Sequence, residues 1–217
     1  MNATTFNSLN SIIDDILLTY RDSKISESED LSRIQVEQWI HQYRALLIKQ
    51  DLDKGRDMNE QYLQTVAPLH ISKLSNCVGG YHYKSDKEIP KFIDLHYGKG
   101  ISSIKDLNGN LIQLGTETKA KYQSSRKYTC SDYIAYIQGN YLYILGPEHL
   151  EYVSIEGVLE DPTSIGECFD RDTSVYPIPA NMIPTLKQMI FERELNIMLK
   201  VPSDITNNST NDVTTEK

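Results

Sequence analysis

Asp94 and His96 flank a single residue, so on a strand both side chains would point to one face. A carboxylate beside an imidazole there could hold a metal ion or polarise a water, with His82 upstream as a further ligand. No third ligand stands at a fixed spacing, and His41, His70 and His149 are scattered. Gly98-Lys99-Gly100-Ile101-Ser102-Ser103 has the glycines and lysine of a phosphate loop but not its order. That loop needs Gly-x-x-x-x-Gly-Lys-Ser/Thr between strand and helix, whereas Lys99 is followed by Gly100 and position 93 is Ile. The stretch reads as a turn, as does Gly79-Gly80. Glu167, Asp170 and Asp172 form an acidic loop without the glycine and closing glutamate of an EF-hand. Cys77, Cys130 and Cys168 are an odd number and make no Cys-x-x-Cys pair, so they read as reduced, partly buried small apolar residues. With no Gly-x-Ser-x-Gly elbow and no local cysteine-nucleophile signature, the expectation is no catalytic residue, no cofactor and no metal.

Two basic stretches are candidates for a polyanion. Lys119, Lys121, Arg126 and Lys127 are interleaved with Tyr122 and Tyr128, and residues 119–128 could touch a phosphate backbone. Lys84, Lys87 and Lys91 come with Asp86 and Glu88 and are nearly neutralised. Both read first as solvated faces. The whole chain weighs against a general phosphate binder: its 217 residues carry 22 Lys and Arg against 30 Asp and Glu, a net charge of −8. Tyrosine is over-used, 14 against 4 Phe and one Trp, which leans toward surfaces that are alternately wet and buried. No apolar run approaches the ~20 residues that cross a bilayer. Met1 to Asn10 has neither the positive region nor the apolar stretch of a secretory signal, so the chain is expected to be made in a cytoplasm.

These residues must be carried by an α+β fold. Phe6, Leu9, Ile12, Ile13, Ile16, Leu17 and Tyr20 recur at steps of three and four and predict a first helix. After a polar break at 23–28, Ser28 is a candidate N-cap with Glu29 and Asp30 in the first turn. A second helix from about Glu29 to Asp53 carries Val36, Trp39, Ile40, Tyr43, Leu46 and Leu47 on one stripe and ends at Gly55. Together they predict an antiparallel helical hairpin over 1–58.

Residues 59–175 predict a β-rich module, an inserted antiparallel sandwich or barrel-like sheet. Its expected strands are 62–66, 69–74, 91–96, 101–106, 111–114, 133–138, 141–145 and 152–159, with one or two helical turns at 116–122. Asn108-Gly109 and Gly139-Asn140 predict two-residue hairpins because both positions tolerate positive φ. After Tyr176-Pro177-Ile178-Pro179, a helix over 180–200 with Pro184 in its first turn completes the helical body over 176–201. Its apolar surface is nearly two-sided, so it is expected to be covered on more than one side. Residues 202–217 are polar, with little to bury, and predict a tail that is disordered or ordered by a partner.

The distinctive sequence is Tyr-Pro-Ile-Pro-Ala-Asn-Met-Ile-Pro-Thr-Leu-Lys at 176–187, then Glu194-Leu195-Asn196-Ile197-Met198-Leu199, then Pro202-Ser203-Asp204 and an Asn-rich tail. With Trp39-Ile40-x-x-Tyr43-Arg44 near the start, it resembles the virion structural proteins of crAss-like tailed phages, and more narrowly the ring or adaptor proteins of their head-to-tail connector. The resemblance implies a ring, commonly of twelve copies, docked below the portal protein with DNA passing through its lumen. It implies a virion location at the head–tail junction, contacts with the portal, with neighbouring copies and with other tail or ring proteins, and no membrane. No catalytic residues come with it. The residues agree in offering two distant chain ends that form one body, an over-apolar C-terminal helix and a polar tail. Candidate partner-binding residues are Ile183, Leu186, Met189 and Ile190, facing neighbours or core, and Ser203 and Asp204 at the start of the tail. The competing classes are a small cytoplasmic hydrolase built on Asp94 and His96, and a nucleic-acid-binding module using residues 119–128.

Overall fold

The computed structural model describes residues 7–23, 31–74, 81–96, 98–130, 132–147 and 150–195. Helix α1 (Leu9–Ser23) buries Leu9, Ile12, Ile13, Ile16, Leu17 and Tyr20, the stripe set by their spacing. Helix α2 (Arg33–Asp53) buries Val36, Trp39, Ile40, Tyr43, Arg44 and Ile48. It starts at Arg33, later than Glu29, with Ser32 in the N-cap position and no side-chain cap bond; Ser28 lies outside the described residues. Gly55 ends it as expected: its φ is +78°, in the left-handed region, and its N–H donates to Leu52 O at 2.9 Å. At the other end of the chain, a 3-10 turn (Ala180–Met182) leads into α4 (Ile183–Ile190), with Pro184 in its first turn. The helix then widens into a π turn (Phe191–Leu195). Residues 196–200 of the expected helix lie outside the described residues.

The three helices share one apolar cluster that includes Ile13, Ile16, Ile40, Tyr176, Leu186 and Ile190. Each such aliphatic side chain contributes ~1.5–3 kcal/mol on full burial, so this cluster is what joins the chain ends. Ion pairs Asp15–Lys187 and Asp14–Arg33 and a Tyr43–Glu194 hydrogen bond of 2.6 Å flank it.

Between the helices, nine strands form among the described residues: β1 (Gln64–Leu74), β2 (Tyr81–Ser85), β3 (Asp94–Leu95), β4 (Gly98–Lys99), β5 (Ile101–Asp106), β6 (Gln113–Leu114), β7 (Ile134–Gln138), β8 (Tyr141–Gly146) and β9 (Tyr152–Gly157). Seven make one sheet in the order β5-β9-β1-β2-β8-β7-β6, and β3-β4 is a separate ribbon. The sheet curls until Leu111, just ahead of β6, bridges Lys105 of β5, and Ile112 N–H donates to Ile104 O at 2.8 Å. This is the barrel-like form of the expected module. Leu69, Ile71, Tyr83, Leu142, Ile144, Val153 and Ile155 fill its interior.

One pairing departs from the antiparallel expectation: β6 runs parallel to β7. Helix α3 (Glu117–Lys121) provides the crossover that a parallel pair requires, and Ala120 of α3 covers Ile134 and Tyr136 on the outer side of β7. Thr116 caps α3 by accepting from Lys119 N–H at 3.2 Å.

Other differences have local causes. The strands expected at 62–66 and 69–74 merge into β1, with a register shift between Val66 and Leu69 that absorbs Pro68; Tyr62 itself sits in a 3-10 turn. The Gly139-Asn140 hairpin has both residues at positive φ. At Asn108-Gly109 only Gly109 is left-handed, because the Asp106 carboxylate accepts from Asn108 N–H and Asn110 N–H, each at 2.8 Å, and organises a longer turn. Gly157 is where strand β9 meets Gly100 and Phe92. A Cβ there would lie 2.5 Å from Gly100 O and 2.8 Å from the Phe92 ring.

Candidate functional site

Asp94 and His96 lie exposed on or beside the β3-β4 ribbon. Asp94 is 3.8 Å from Lys99, and His96 N–H donates to Asp53 at 3.0 Å, so the ribbon is tied to the end of α2. His82 belongs to β2, in the other sheet. No group of three or more His, Cys, Asp or Glu able to hold a metal occurs among the described residues. Gly98 and Lys99 are strand residues beside a tight turn.

In the acidic loop Asp170 accepts from Asp172 N–H at 3.0 Å and Thr173 Oγ1 at 2.6 Å, which holds its carboxyl below the ordinary value. Asp172 accepts from Asn10 Nδ2 at 2.7 Å, and Asn10 N–H donates to Arg171 O at 3.1 Å. The loop is a clasp on the start of α1. Cys130 is exposed, not partly buried, because it sits in the polar loop ahead of β7. Cys77, His149 and Gly79-Gly80 lie outside the described residues, and so do the side chains of Glu167 and Cys168.

The two basic stretches differ. Lys91 pairs with Glu160 at 2.8 Å, and Lys84 stands 3.7 Å above the Tyr141 ring, so the first is absorbed internally. In the second, Lys121 pairs with Glu117 at 2.6 Å, while Arg126, Lys127, Tyr122 and Tyr128 are exposed.

Ile183, Leu186 and Ile190 are buried in the chain's own helical cluster, and Met189 is half-buried against it. α4 turns them toward α1 and α2. Ser203 and Asp204 lie outside the described residues.

The feature that sequence reasoning missed is the joint between helices and barrel. Arg44, fully buried in α2, donates from Nε to Pro177 O at 2.8 Å and from Nη1 to Leu159 O at 2.7 Å. Its guanidinium lies 5.7 Å from the centre of the Tyr176 ring. The Tyr176 hydroxyl is 2.8 Å from His41 Nδ1, and His41 Nε2 is 3.6 Å from both Glu37 and Asp161. Burial drives the His41 pKa down, against the pull of Asp161 and Glu37, and drives the Tyr176 pKa up. Beside this hub, Ile48, Tyr62, Ile93 and Val158 pack together, and the Tyr62 hydroxyl donates to Asp51 at 2.9 Å. One cation therefore holds carbonyls from two other segments to α2. The only sequence signal was an arginine next to Tyr43, on the edge of an apolar stripe, and arginines there usually reach out to water.

The opposite end of the barrel shows apolar side chains to solvent. Leu107 and Leu111, on the Asp106-braced turn, are 70% and 72% exposed, and Tyr128 is 86% exposed. A rigid two-part body, with buried polar groups used for internal ties and apolar side chains displayed at one end, has the build of an assembly subunit. The chain belongs to the phage tail ring protein 2 family of crAss-like phages, which it matches over residues 11–213. No curated protein matches it. It is thus a structural ring protein of a phage tail and a virion component that associates with copies of itself. Among the described residues no helix is long and apolar enough to cross a membrane.

Proposed function

We propose that this ring sits in the head-to-tail connector below the portal, joins the capsid vertex to the tail and leaves a channel for the genome. Twelve copies would match the usual symmetry of such connectors. The observation that carries the reading is the family match along almost the whole chain. The buried Arg44 joint supports it, since a subunit that bridges two larger bodies needs its own two parts fixed to one another. Ile183, Leu186 and Ile190 serve the ring by holding α4 in place, and Met189 stands at the edge of that core. The polar stretch from Ser203 and Asp204 to Lys217 is the docking segment in this reading, ordered when it meets the portal or an adjacent ring. DNA passes as cargo.

Native mass spectrometry of the full chain, alone and mixed with the portal protein of the same genome, tests this. A portal-dependent complex with many copies is expected, and a chain ending before Ser203 should stay folded and dock more weakly. A monomer in both samples would overturn direct portal contact.

A further inference from the structure

The ring must overcome its own charge. Residues 117–128 carry four cations against the single carboxylate of Glu117, a local +3, so −8 less this +3 leaves −11 on the rest of the chain. Neighbouring copies of such a chain repel unless the positive segment of one meets acidic surface of the next. We infer that the loop carrying Tyr122, Arg126, Lys127 and Tyr128 is the face by which one copy docks on an acidic surface of a second copy of this chain. The inference rests on the ring reading and deepens it.

Four observations support it. First, the residue types fit a protein interface: Tyr and Arg dominate interface binding energy, and Tyr122 and Tyr128 are 65% and 86% exposed. Second, the loop is folded before any partner arrives. Buried Gln123 donates to Thr129 O, Arg126 N–H donates to Gln123 O at 3.1 Å, and Lys127 Nζ lies 5.2 Å from the Tyr128 ring centre. Docking then costs little ordering entropy.

Third, the topology makes the contact heterologous, as a closed ring of one chain requires. The loop enters β7 at the barrel end where β7 starts. The strand registers β7-β8, β8-β2, β2-β1 and β1-β9 place Gln138, the end of β7, level with Tyr152, the start of β9, so β7 starts four residues further out at that same end. An acidic run, residues 160–172, with five carboxylates against Arg171, follows the far end of β9. Round the barrel, β7 and β9 are separated by two strands one way and three the other. The basic loop therefore lies at the barrel end away from the joint, and the acidic run lies beyond the other end against α1 and α2, so the loop of one copy can reach the run of the next without closing a two-fold pair. Fourth, nucleic acid is the weaker match. Lys121 is already paired with Glu117, and the few remaining cations would have to hold a polyanion against the rest of an acidic ring.

Zero-length carbodiimide cross-linking of assembled particles tests this directly, because it joins an amine only to a carboxylate in contact with it. The expected result is a species of twice the chain's 24.8 kDa mass, with a Lys127 cross-link to a carboxylate in 160–172 of another copy. Arg126→Gln with Lys127→Gln should remove that species. Copies per particle, counted in the same samples, report separately on the ring reading. A multi-copy chain whose Lys127 links to a different protein or to nothing overturns the inference alone. So does a Lys127 that resists acetylation in DNA-filled particles and reacts in emptied ones, which would place it on nucleic acid. Particles lacking the chain would overturn both.

Discussion

Replacing Arg44 tests the joint between helices and barrel. Arg44→Ala removes two hydrogen bonds from a charged donor, leaves Pro177 O and Leu159 O without that partner, and opens a cavity in α2's packing. A bond of this kind contributes ~1.5–3 kcal/mol, and deleting one side of a buried charged contact costs about 3–5 kcal/mol. In a chain of this size each kcal/mol lowers Tm by roughly 2–4 °C, so the expected fall is about 6–20 °C. Arg44→Met separates the causes. It keeps the packed stem and removes a charge whose desolvation opposes folding, so its loss should be about half that of Ala. Burial holds the Arg44 pKa below its ordinary value, which is the same opposition seen from the proton's side. The assay is thermal and urea unfolding followed by Trp39 fluorescence and by far-UV circular dichroism. Wild type should give coincident transitions; Arg44→Ala should separate them, since Trp39 reports on the helical body alone. A Tm change under about 2 °C for Ala, or equal losses for Ala and Met, would refute the reasoning.

Three further predictions follow from the same contacts. His41 has a lowered folded pKa, so its contribution is present above the unfolded value of 6.5 and is lost as pH falls from there through the folded value; unfolding at pH 7.5 and pH 5 should show a loss that His41→Gln largely abolishes, although Glu37, Asp161, Arg44 and Tyr176 all face the ring. Burial and the Asp51 hydrogen bond push the Tyr62 pKa up to about 12, so stability held below the unfolded value of 10.0 should fall as pH climbs from there toward 12. Tyr62→Phe should remove its share of that alkaline loss, the rest belonging to Tyr43, Tyr136 and Tyr176, whose pKa values burial also raises, and cost about 1–2 kcal/mol at neutral pH, read by urea titration. Gly157→Ala should destabilise by ~1–3 kcal/mol, because its methyl would strike Gly100 O and the Phe92 ring; an unchanged urea midpoint would contradict the close packing of β9 against those residues.

Helix α1 was legible because its periodicity is strong: every apolar position from Leu9 to Tyr20 that the spacing marked is buried, whereas on α2 the marked Leu46 and Leu47 are only partly buried. The strands with alternating aliphatics, β8 and β9, were legible for the same reason. Strand β2 was not, because Tyr81-His82-Tyr83-Lys84-Ser85, which buries Tyr83 and Ser85, carries no aliphatic alternation. β3 and β4 are two residues each, too short for any pattern. The helical turns expected at 116–122 are α3, but a five-residue helix does not by itself mark a crossover, so the parallel β6-β7 pair was not legible. The candidate surfaces split in the same way. The 119–128 stretch was visible from composition, whereas the exposed Leu111 reads as part of a strand until the Asp106 turn is seen. The burial of Arg44 could be known only after Leu159 and Pro177, more than a hundred residues away, were placed beside it.

A cryo-electron-microscopy map of the head–tail junction in intact particles tests most directly whether this chain forms a ring there. A closed ring is expected, into which this fold fits as repeated copies, its 119–128 loop against the next copy and its chain ends toward an adjoining ring or the portal. A map in which the chain is present singly, or in which no ring at the junction accepts the fold, would contradict it.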